Sequence, residues 1–480
     1  MGGSSSSREG WPAGDFAAFR RKMQGAGLSE ELIEQFAAYY GMLAAESRDI
    51  GFVRERDIEP VRADDIAAQD ELTRGHREQG ERCLDQAVMI KLNGGLGTSM
   101  GMPYAKSLLE VKSGYTFLDV SALQARAFCK ERDAGVPLVF MNSFNTDRDT
   151  REYFREKAGT LDVEPQYFQQ NRFPKILADS LEPAEWPQEP ELEWNPPGHG
   201  DLYAALRASG MLQRLLGEGK RYAFVSNVDN LGAVVDPAML GYFVERELPL
   251  LMEVAERSPS DKKGGHLAKL EDGRLILRET AQCPQEDEAY FQDIGRHQYF
   301  NTNNIWLDLQ QLEDRINARG LPQLPLIVNP KTLDPRDERT PKVYQLETAM
   351  GAAISSFERS GAIQVGRERF APVKRTNGLL AVRSDCYVLE EDYQLKPNPR
   401  RTAGPIEIEL DSDYFKKIDQ FEERFPFGPP SLLDCTLLQV EGDVAFGRNV
   451  ICRGSVRIRN GGPGRRSIED GSQLEGEIDF

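Results

Sequence analysis

The chain has 480 residues, more than one ordinary hydrophobic core organises, so more than one domain is expected. Apolar residues make up 40% and charged residues 28% with a formal net charge of -18, the balance of a soluble globular protein that repels nucleic acid in the absence of a basic patch. No apolar run is long enough for a membrane helix, Met1–Gly10 has no apolar stretch of a secretion signal, and the six cysteines and four histidines form neither a CxxC pair nor an HExxH, which argues against a disulfide framework or a histidine-built metal centre and for a cytoplasmic setting.

In chain order, the Gly/Ser run Gly2–Ser7 reads as a flexible tail outside the fold. From about Asp15 to Glu81 the spacing is helical, with Ala17, Phe19, Leu28, Leu32, Phe36 and Tyr40 as a buried stripe and no strong strand run. From about Gln86 short apolar strands alternate with amphipathic helices. Ala87–Leu92, Val136–Met141, Tyr222–Ser226 and Leu248–Val254 are predicted strands; Phe117–Arg132 and Asp201–Leu216 are predicted helices. Gly265–Thr280 is predicted to form a hairpin turning at Glu271-Asp272-Gly273. Such alternation predicts a mainly parallel sheet covered on both faces, with ligands at the carboxyl ends of its strands. After about Tyr387 the pattern changes again. Val444, Val450, Val456, Ile468 and Leu474 fall on one six-residue grid with glycines between them, which favours a short β-helix over a few hairpins of chance spacing.

Five segments carry chemistry. Lys91–Gly101 (KLNGGLGTSMG) follows a strand directly and holds Gly94, Gly95, Gly97 and Gly101. So dense a glycine run lets backbone N–H groups turn towards phosphate oxygens. It has neither the dinucleotide spacing nor the Gly-Lys-Ser/Thr ending of a P-loop. Lys106 follows closely and is placed to neutralise phosphate charge. Pro196–Asp201 (PPGHGD) leads into a helix, and its glycines are expected to clear space around His199, whose imidazole suits a sugar hydroxyl or a phosphate oxygen. Ser226–Gly232 (SNVDNLG) places Asn227, Asp229 and Asn230 at a strand end. Asp236-Pro237 already provides the next helix start, which leaves Asp229 for Mg²⁺ beside a triphosphate. Phe300–Trp306 (FNTNNIW) sets three asparagines beside an apolar strand, and turn chemistry accounts for any one of them as well as sugar binding does. Lys374, in Phe370–Arg375 (FAPVKR), reads by itself as a surface lysine.

Together these blocks, with MNSFNT (Met141–Thr146), PVK (Pro372–Lys374) and QLETAMGAAI (Gln345–Ile354), resemble the eukaryotic-type UTP–glucose-1-phosphate uridylyltransferases, in order and from about Gln86 to the C-terminus. The resemblance implies an α/β fold: a Rossmann-like nucleotidyltransferase (GT-A-like) mixed sheet with helices on both faces, plus a C-terminal left-handed β-helix. It divides the chain into a tail and helical extension (1–85), a catalytic domain (86–386) and the β-helix domain (387–480). It implies transfer of UMP from UTP to glucose 1-phosphate, giving UDP-glucose and pyrophosphate, with Mg²⁺ as cofactor and assembly through the β-helix in some members. Residue by residue, it assigns Leu92, Asn93, Gly94, Gly95, Gly97, Thr98, Met141, Gln170 and Gly198 to the nucleotide, the last two to the uracil edge. His199, Asn227, Gly265, Glu279 and Asn303 go to the glucosyl phosphate, Asp229 to the metal, and Lys106 and Lys374 to the phosphates transferred and released. The chain departs from the family at Tyr104-Ala105, where Gly-Pro is usual, at Met102, where a cysteine is usual, and at Arg375-Thr376-Asn377. The competing readings are a related enzyme using another sugar 1-phosphate and a catalytically silent sugar-nucleotide sensor. A β-helix acyltransferase would need a longer hexapeptide run.

Overall fold

The structure is a computed structural model that describes residues 16–45, 51–335 and 337–480, so the Gly2–Ser7 tail lies outside the described residues. The chain forms two compact units, one of residues 1–68, 168–221 and 247–364, the other of residues 69–167, 222–246 and 365–480.

In the second unit three parallel strands lie side by side. Ala87–Asn93 is central, with Tyr222–Asn227 on one flank and Leu138–Asn142 on the other. All seven residues of Ala87–Asn93 are buried, as a strand covered on both faces requires. The helix Phe117–Arg132 has the predicted bounds because Thr116 and Asp119 cap it reciprocally: Thr116 Oγ1 accepts from Asp119 N–H (3.2 Å) and Asp119 Oδ2 accepts from Thr116 N–H (2.9 Å). Asp236 caps the helix Pro237–Glu245 through Ala238 N–H (2.7 Å), as its sequence suggests.

The chain's C-terminal part adds two parallel sheets, Glu407–Leu410, Ser431–Glu441, Ile451–Arg459 and Gln473–Asp479 in one and Val444–Phe446 with Arg466–Ile468 in the other. Val444, Val450, Val456 and Ile468 are buried and Leu474 is half-buried. The stacking neighbours are Leu438 with Val456, Phe446 with Ile468 and Cys452 with Leu474. These grid residues are thus buried or half-buried, and the apolar neighbours of Val456, Ile468 and Leu474 lie on an adjacent strand rather than six residues away.

In the first unit Leu250–Glu256 pairs antiparallel with Tyr299–Asp308 and parallel with Gly361–Gln364, so this part of the sheet is mixed. The hairpin forms from His266–Leu270 and Leu275–Arg278 with Gly273 at φ 82°. The predicted helical extension contains Phe16–Gly25 and Glu30–Ala44, whose Phe19, Phe36 and Tyr40 rings cluster and pass on to Phe173 (Phe36–Phe173 5.1 Å). It also contains two short strands the sequence did not suggest. Ile58–Pro60 pairs with the hairpin and Ala67–Ala68 with Gly361–Gln364. The predicted helix 201–216 is two helices, Leu202–Ala208 and Met211–Gly217, divided where Ser209 Oγ turns back onto Ala205 O (2.6 Å).

Candidate functional site

Of the residues the resemblance assigns to the site, the second unit holds eleven, at or just past the carboxyl ends of its parallel strands. The glycine loop starts where Ala87–Asn93 ends. Leu92 and Asn93 are buried, and Asn93 Nδ2 donates to Asn142 Oδ1 (2.9 Å) and Thr150 Oγ1 (2.8 Å), which fixes the loop's first leg. Met141 is buried beside Leu92 in the adjacent strand. The loop folds back on itself: Leu96 bridges Ala105, Met102 N–H donates to Gly97 O (3.0 Å) and Lys106 N–H to Gly95 O (3.2 Å). Gly95 and Thr98 stay exposed, while Gly97 is buried against Met102.

This closure carries Lys106 to Asp229. Lys106 Nζ donates to Asp229 Oδ2 (2.6 Å), each side chain 16% exposed. Asp229 lies just beyond Asn227, the last residue of its strand, in a turn tied by Val228 N–H to Leu92 O (3.0 Å) and Asn230 N–H to Asn227 O (3.1 Å). Buried Lys91 pins the same turn from behind, bonding Ser226 Oγ (2.9 Å) and Ala233 O (2.8 Å). Lys374 is brought to the group by the backbone of its neighbour Val373. Val373 N–H donates to Asp229 O (3.3 Å), and Asn230 bonds Ala371 N–H (2.9 Å) and Arg369 O (3.0 Å), which leaves the exposed Lys374 next to Asp229's turn. Asn230, read as one of three similar residues, is thus the strut between the two segments.

The first unit holds the other six. Gln170 Nε2 donates to Gly198 O (2.5 Å), which fixes the direction of the amide. The glycines around His199 do not clear space for a ligand. Gly198 has φ 76°, and a Cβ there would lie 2.5 Å from Thr348 O; a Cβ on Gly200 would overlap the Thr348 side chain. The pair is needed for close approach of two backbones. His199 Nδ1 accepts from Met350 N–H (3.0 Å), so the neutral ring carries its proton on Nε2. Asp201 of the same motif is buried and accepts from Asn171 N–H (2.6 Å) and Nδ2 (2.9 Å). Burial pushes its carboxyl up to about 7, against the two Asn171 bonds that lower it.

Gly265, Glu279 and Asn303 form the second cluster of this unit. The Glu279 carboxylate lies against the Gly265 Cα, where any Cβ would overlap it, and Gly265 O accepts from Asn301 N–H (3.3 Å). Phe300–Trp306 lies inside the strand Tyr299–Asp308, not beside one. Asn303 adopts φ 60° at the bulge opposite Glu253/Val254 and exchanges bonds with Asn301 (2.8 and 2.9 Å). The 3-10 segment Met350–Ser356 links the two clusters, bonding His199 through Met350 and facing Asn301 at Gly351.

Two carboxylates missed in the sequence hold this second cluster. Buried Glu253 accepts from Trp306 Nε1 (3.0 Å) and Asn304 Nδ2 (3.0 Å), which lie two residues apart in the strand just past the bulge. Glu55 accepts from Arg278 (2.7 Å), Arg296 (2.6 Å) and His297 (3.1 Å), beside the ends of the hairpin that carry Gly265 and Glu279. Burial alone would raise the Glu55 carboxyl; the Arg296 and His297 bonds and charges outweigh it and hold it below its usual range. Burial, with His297 stacked at 3.8 Å, holds His266 well below the usual histidine range.

A mixed α/β fold with a closed glycine loop, a lysine and an aspartate at the carboxyl ends of parallel strands has the build of a nucleotidyltransferase. The family model of UTP--glucose-1-phosphate uridylyltransferase matches residues 33–453. The chain is 41% identical over 393 residues to the barley (Hordeum vulgare) protein of that name, covering 82% of this chain and 81% of the other. It is 40% identical over 396 residues to the Saccharomyces cerevisiae protein of that name, covering 82% and 78%. Among solved structures, the UDP-glucose phosphorylase of Trypanosoma brucei superposes with TM-score 0.89 at 45% identity, over 97% of this chain and 100% of that one. A mutant of the Leishmania major UDP-glucose pyrophosphorylase in complex with UDP-glucose superposes with TM-score 0.89 at 41% identity, over 98% and 100%. The chain belongs to the UTP--glucose-1-phosphate uridylyltransferase family. Among the described residues no helix is long and apolar enough to cross a membrane.

Proposed function

We propose that this protein transfers UMP from UTP to glucose 1-phosphate, giving UDP-glucose and pyrophosphate, by direct in-line displacement. The observation that carries the reading is the Lys106–Asp229 pair at 2.6 Å beside the closed glycine loop, in a chain of this family. A phosphate oxygen of glucose 1-phosphate attacks the α-phosphorus of UTP. Because both reactants are anions, the barrier is largely that of bringing them together, and the protein's part is position and charge. Lys106 and Lys374 share the charge transferred and released. The loop's Gly94, Gly95, Gly97 and Thr98, with Leu92, Asn93 and Met141 behind them, shape the nucleotide's seat, and Gln170 and Gly198 read the uracil edge. His199 donates Nε2–H to the glucosyl phosphate, and Asn227, Gly265, Glu279 and Asn303 complete its surroundings.

Asp229 fits a magnesium ion. Among the described residues no group of three or more His, Cys, Asp or Glu gathers for a metal, and Mg²⁺ takes just one or two protein carboxylates, filling the rest of its shell with water and phosphate oxygens. Bound there, Mg²⁺ would supply charge neutralisation of the triphosphate. With Asp229 holding the ion, the Lys106 ammonium would be free to meet the phosphates. The further parts of the reading are a GT-A-like catalytic domain over 86–386, a left-handed β-helix over 387–480 after a helical extension ending near 85, assembly of copies through that β-helix, and a cytoplasmic setting without nucleic-acid partners. The parallel strands of the C-terminal sheets support the β-helix.

The test is pyrophosphate release by the purified protein given UTP, MgCl₂ and one sugar 1-phosphate from a panel of glucose, galactose and N-acetylglucosamine. Release fastest with glucose 1-phosphate is expected. Release with none of them identifies a sensor, and preference for another member of the panel a sibling enzyme.

Asp201 gives a prediction separate from the chemistry. Burial lifts its pKa above the ordinary aspartate value, so the folded state binds the extra proton and stability falls as pH rises from about 4 to about 7. Asp201→Asn removes that slope, and it also offers one oxygen to the two donors of Asn171, beside Gln170. Thermal midpoints between pH 5 and 8 are expected to fall less in the variant than in the parent, while KM for UTP rises about threefold to tenfold, the worth of about one ordinary hydrogen bond. A variant keeping the parental slope would remove Asp201 as its source.

A further inference from the structure

Ser143–Thr146 and the first turn of the helix that follows, Asp147–Leu161, take no part in the chemistry above, yet they hold both legs of the glycine loop. On the outgoing leg, Thr146 Oγ1 donates to Asn93 O (2.5 Å) and Ser143 Oγ to Gly94 O (2.8 Å). Ser143 and Thr146 are buried and braced by each other, with Ser143 N–H donating to Thr146 Oγ1 (3.0 Å). On the returning leg, Ala105 N–H donates to Asp149 Oδ2 (3.2 Å). Ser143, Thr146 and Asp149 are spaced three residues apart at the entry to one helix, so one rigid element fixes the loop at both ends.

We propose that Asp149 is the positioning residue for Lys106: its carboxylate, through the Ala105 N–H, sets where the ammonium of the next residue stands. The proposal rests on the reading of the loop as a phosphate site with Lys106 at the reacting groups. Three observations carry it. Ala105 is completely buried, so its N–H has no recourse to water if the acceptor is removed. It directly precedes Lys106, and the Lys106 N–H is itself tied across the loop to Gly95 O. The Asp149 side chain is only 17% exposed, and its ion pair with the exposed neighbour Arg148 is longer, at 3.6 Å, than its bond from the Ala105 N–H. A loop that shifts to rehydrate a buried N–H carries Lys106 with it. Misplacement of a reacting group by about 1 Å can cost about 10²-fold in rate.

The backbone offers a discriminating test. Ala105 has φ -55°, inside the range to which a proline ring locks φ. A proline there holds the same angle and brings no N–H that needs an acceptor. Asp149→Ala is expected to lower kcat by about 10-fold to 100-fold with KM for glucose 1-phosphate within about threefold. Asp149→Asn, which keeps an acceptor oxygen, is expected to stay within about threefold of the parent in kcat. In an Ala105→Pro background, Asp149→Ala is expected to lower kcat by less than about twofold, because the donor that needed it is gone. Hydrogen exchange of the peptide containing Ala105 and Lys106 is expected to speed up in Asp149→Ala alone and not in Asp149→Asn. Pyrophosphate release by the parent establishes the underlying reading first; its absence overturns that reading and leaves the exchange measurement to judge the anchor. With the parent active, an Asp149→Ala enzyme at half or more of the parental kcat overturns the proposal, as does an equal loss in the proline background. Asp149→Asn as damaged as Asp149→Ala overturns it too, since charge rather than the acceptor would then matter. Thermal midpoints accompany each variant, and should Asp149→Ala fail to fold alone, its folding and kcat in the Ala105→Pro background decide, since removing the donor rescues a side chain whose duty is that bond and no other.

Discussion

Lys106→Ala is expected to lower kcat for UDP-glucose formation by about 10²–10³-fold, the usual cost of removing one preorganised group that meets developing charge in a transition state. The structure gives the reason for assigning the effect to kcat. The protein itself engages the ammonium, at 2.6 Å from Asp229 Oδ2, and both side chains are mostly shielded from water. Leaving that partner costs the lysine an ion pair, so little net attraction is left to hold UTP in the ground state. The gain comes when charge moves towards the leaving pyrophosphate. KM for UTP is therefore expected to stay within about fivefold of the parent, and kcat and kcat/KM to fall together. Lys106→Arg is expected to recover little, because a planar fork cannot stand where a compact point charge fits between a carboxylate and a phosphate. Initial rates with UTP and glucose 1-phosphate varied in turn check this. A variant with parental kcat and a raised KM would reduce Lys106 to a docking charge.

The extent to which this site was legible in the sequence follows from how local each signal is. The strand was legible over Ala87–Leu92 because positions buried on both faces leave an almost wholly apolar run, and Phe117–Arg132 because Asp119 stands in the first turn, where it caps with Thr116. The glycine loop, Lys106 and Asp229 lie next to such elements, and the structure joins them. The short strands Ile58–Pro60 and Ala67–Ala68 were not legible, since each is stabilised only by a partner about two hundred or more residues away. The same holds for Glu55, whose bonds reach Arg278 and His297, and for Asp149, whose partner Ala105 lies in a separate loop. A lone carboxylate in a sequence reads as surface; only the fold shows which is buried. The glycines beside His199 misled in another way. The same residue serves an open pocket and a tight crossing, and Thr348, which decides between them, is far along the chain. Asn303 also needed the fold, because a bulge is a relation between two strands, and the run Phe300–Trp306 carries no mark of its partner Leu250–Glu256.

Asp229→Asn is expected to raise the midpoint of the Mg²⁺ titration of kcat by at least about tenfold, and to leave kcat at saturating Mg²⁺ about 10²-fold below the parent. Two effects of the carboxylate have to be separated, since Asp229 accepts from Lys106 and is also the proposed metal ligand. Asparagine keeps the size and one acceptor oxygen but removes the charge, so it weakens both. If the carboxylate served only to park Lys106, its neutralisation would free the ammonium, tighten UTP binding and leave the metal titration where it was. If it holds Mg²⁺, the titration must move, because the remaining shell of water and phosphate oxygens has lost its one protein anion. Asp229→Glu sharpens the contrast: the charge is kept and its position shifted by one methylene, so the titration midpoint is expected to move less than in Asp229→Asn while kcat still falls, as Val373 and Asn230 fix the backbone of the turn and prevent it from yielding. An unmoved midpoint in both variants would take Asp229 out of the metal site and leave it as the counter-ion of Lys106.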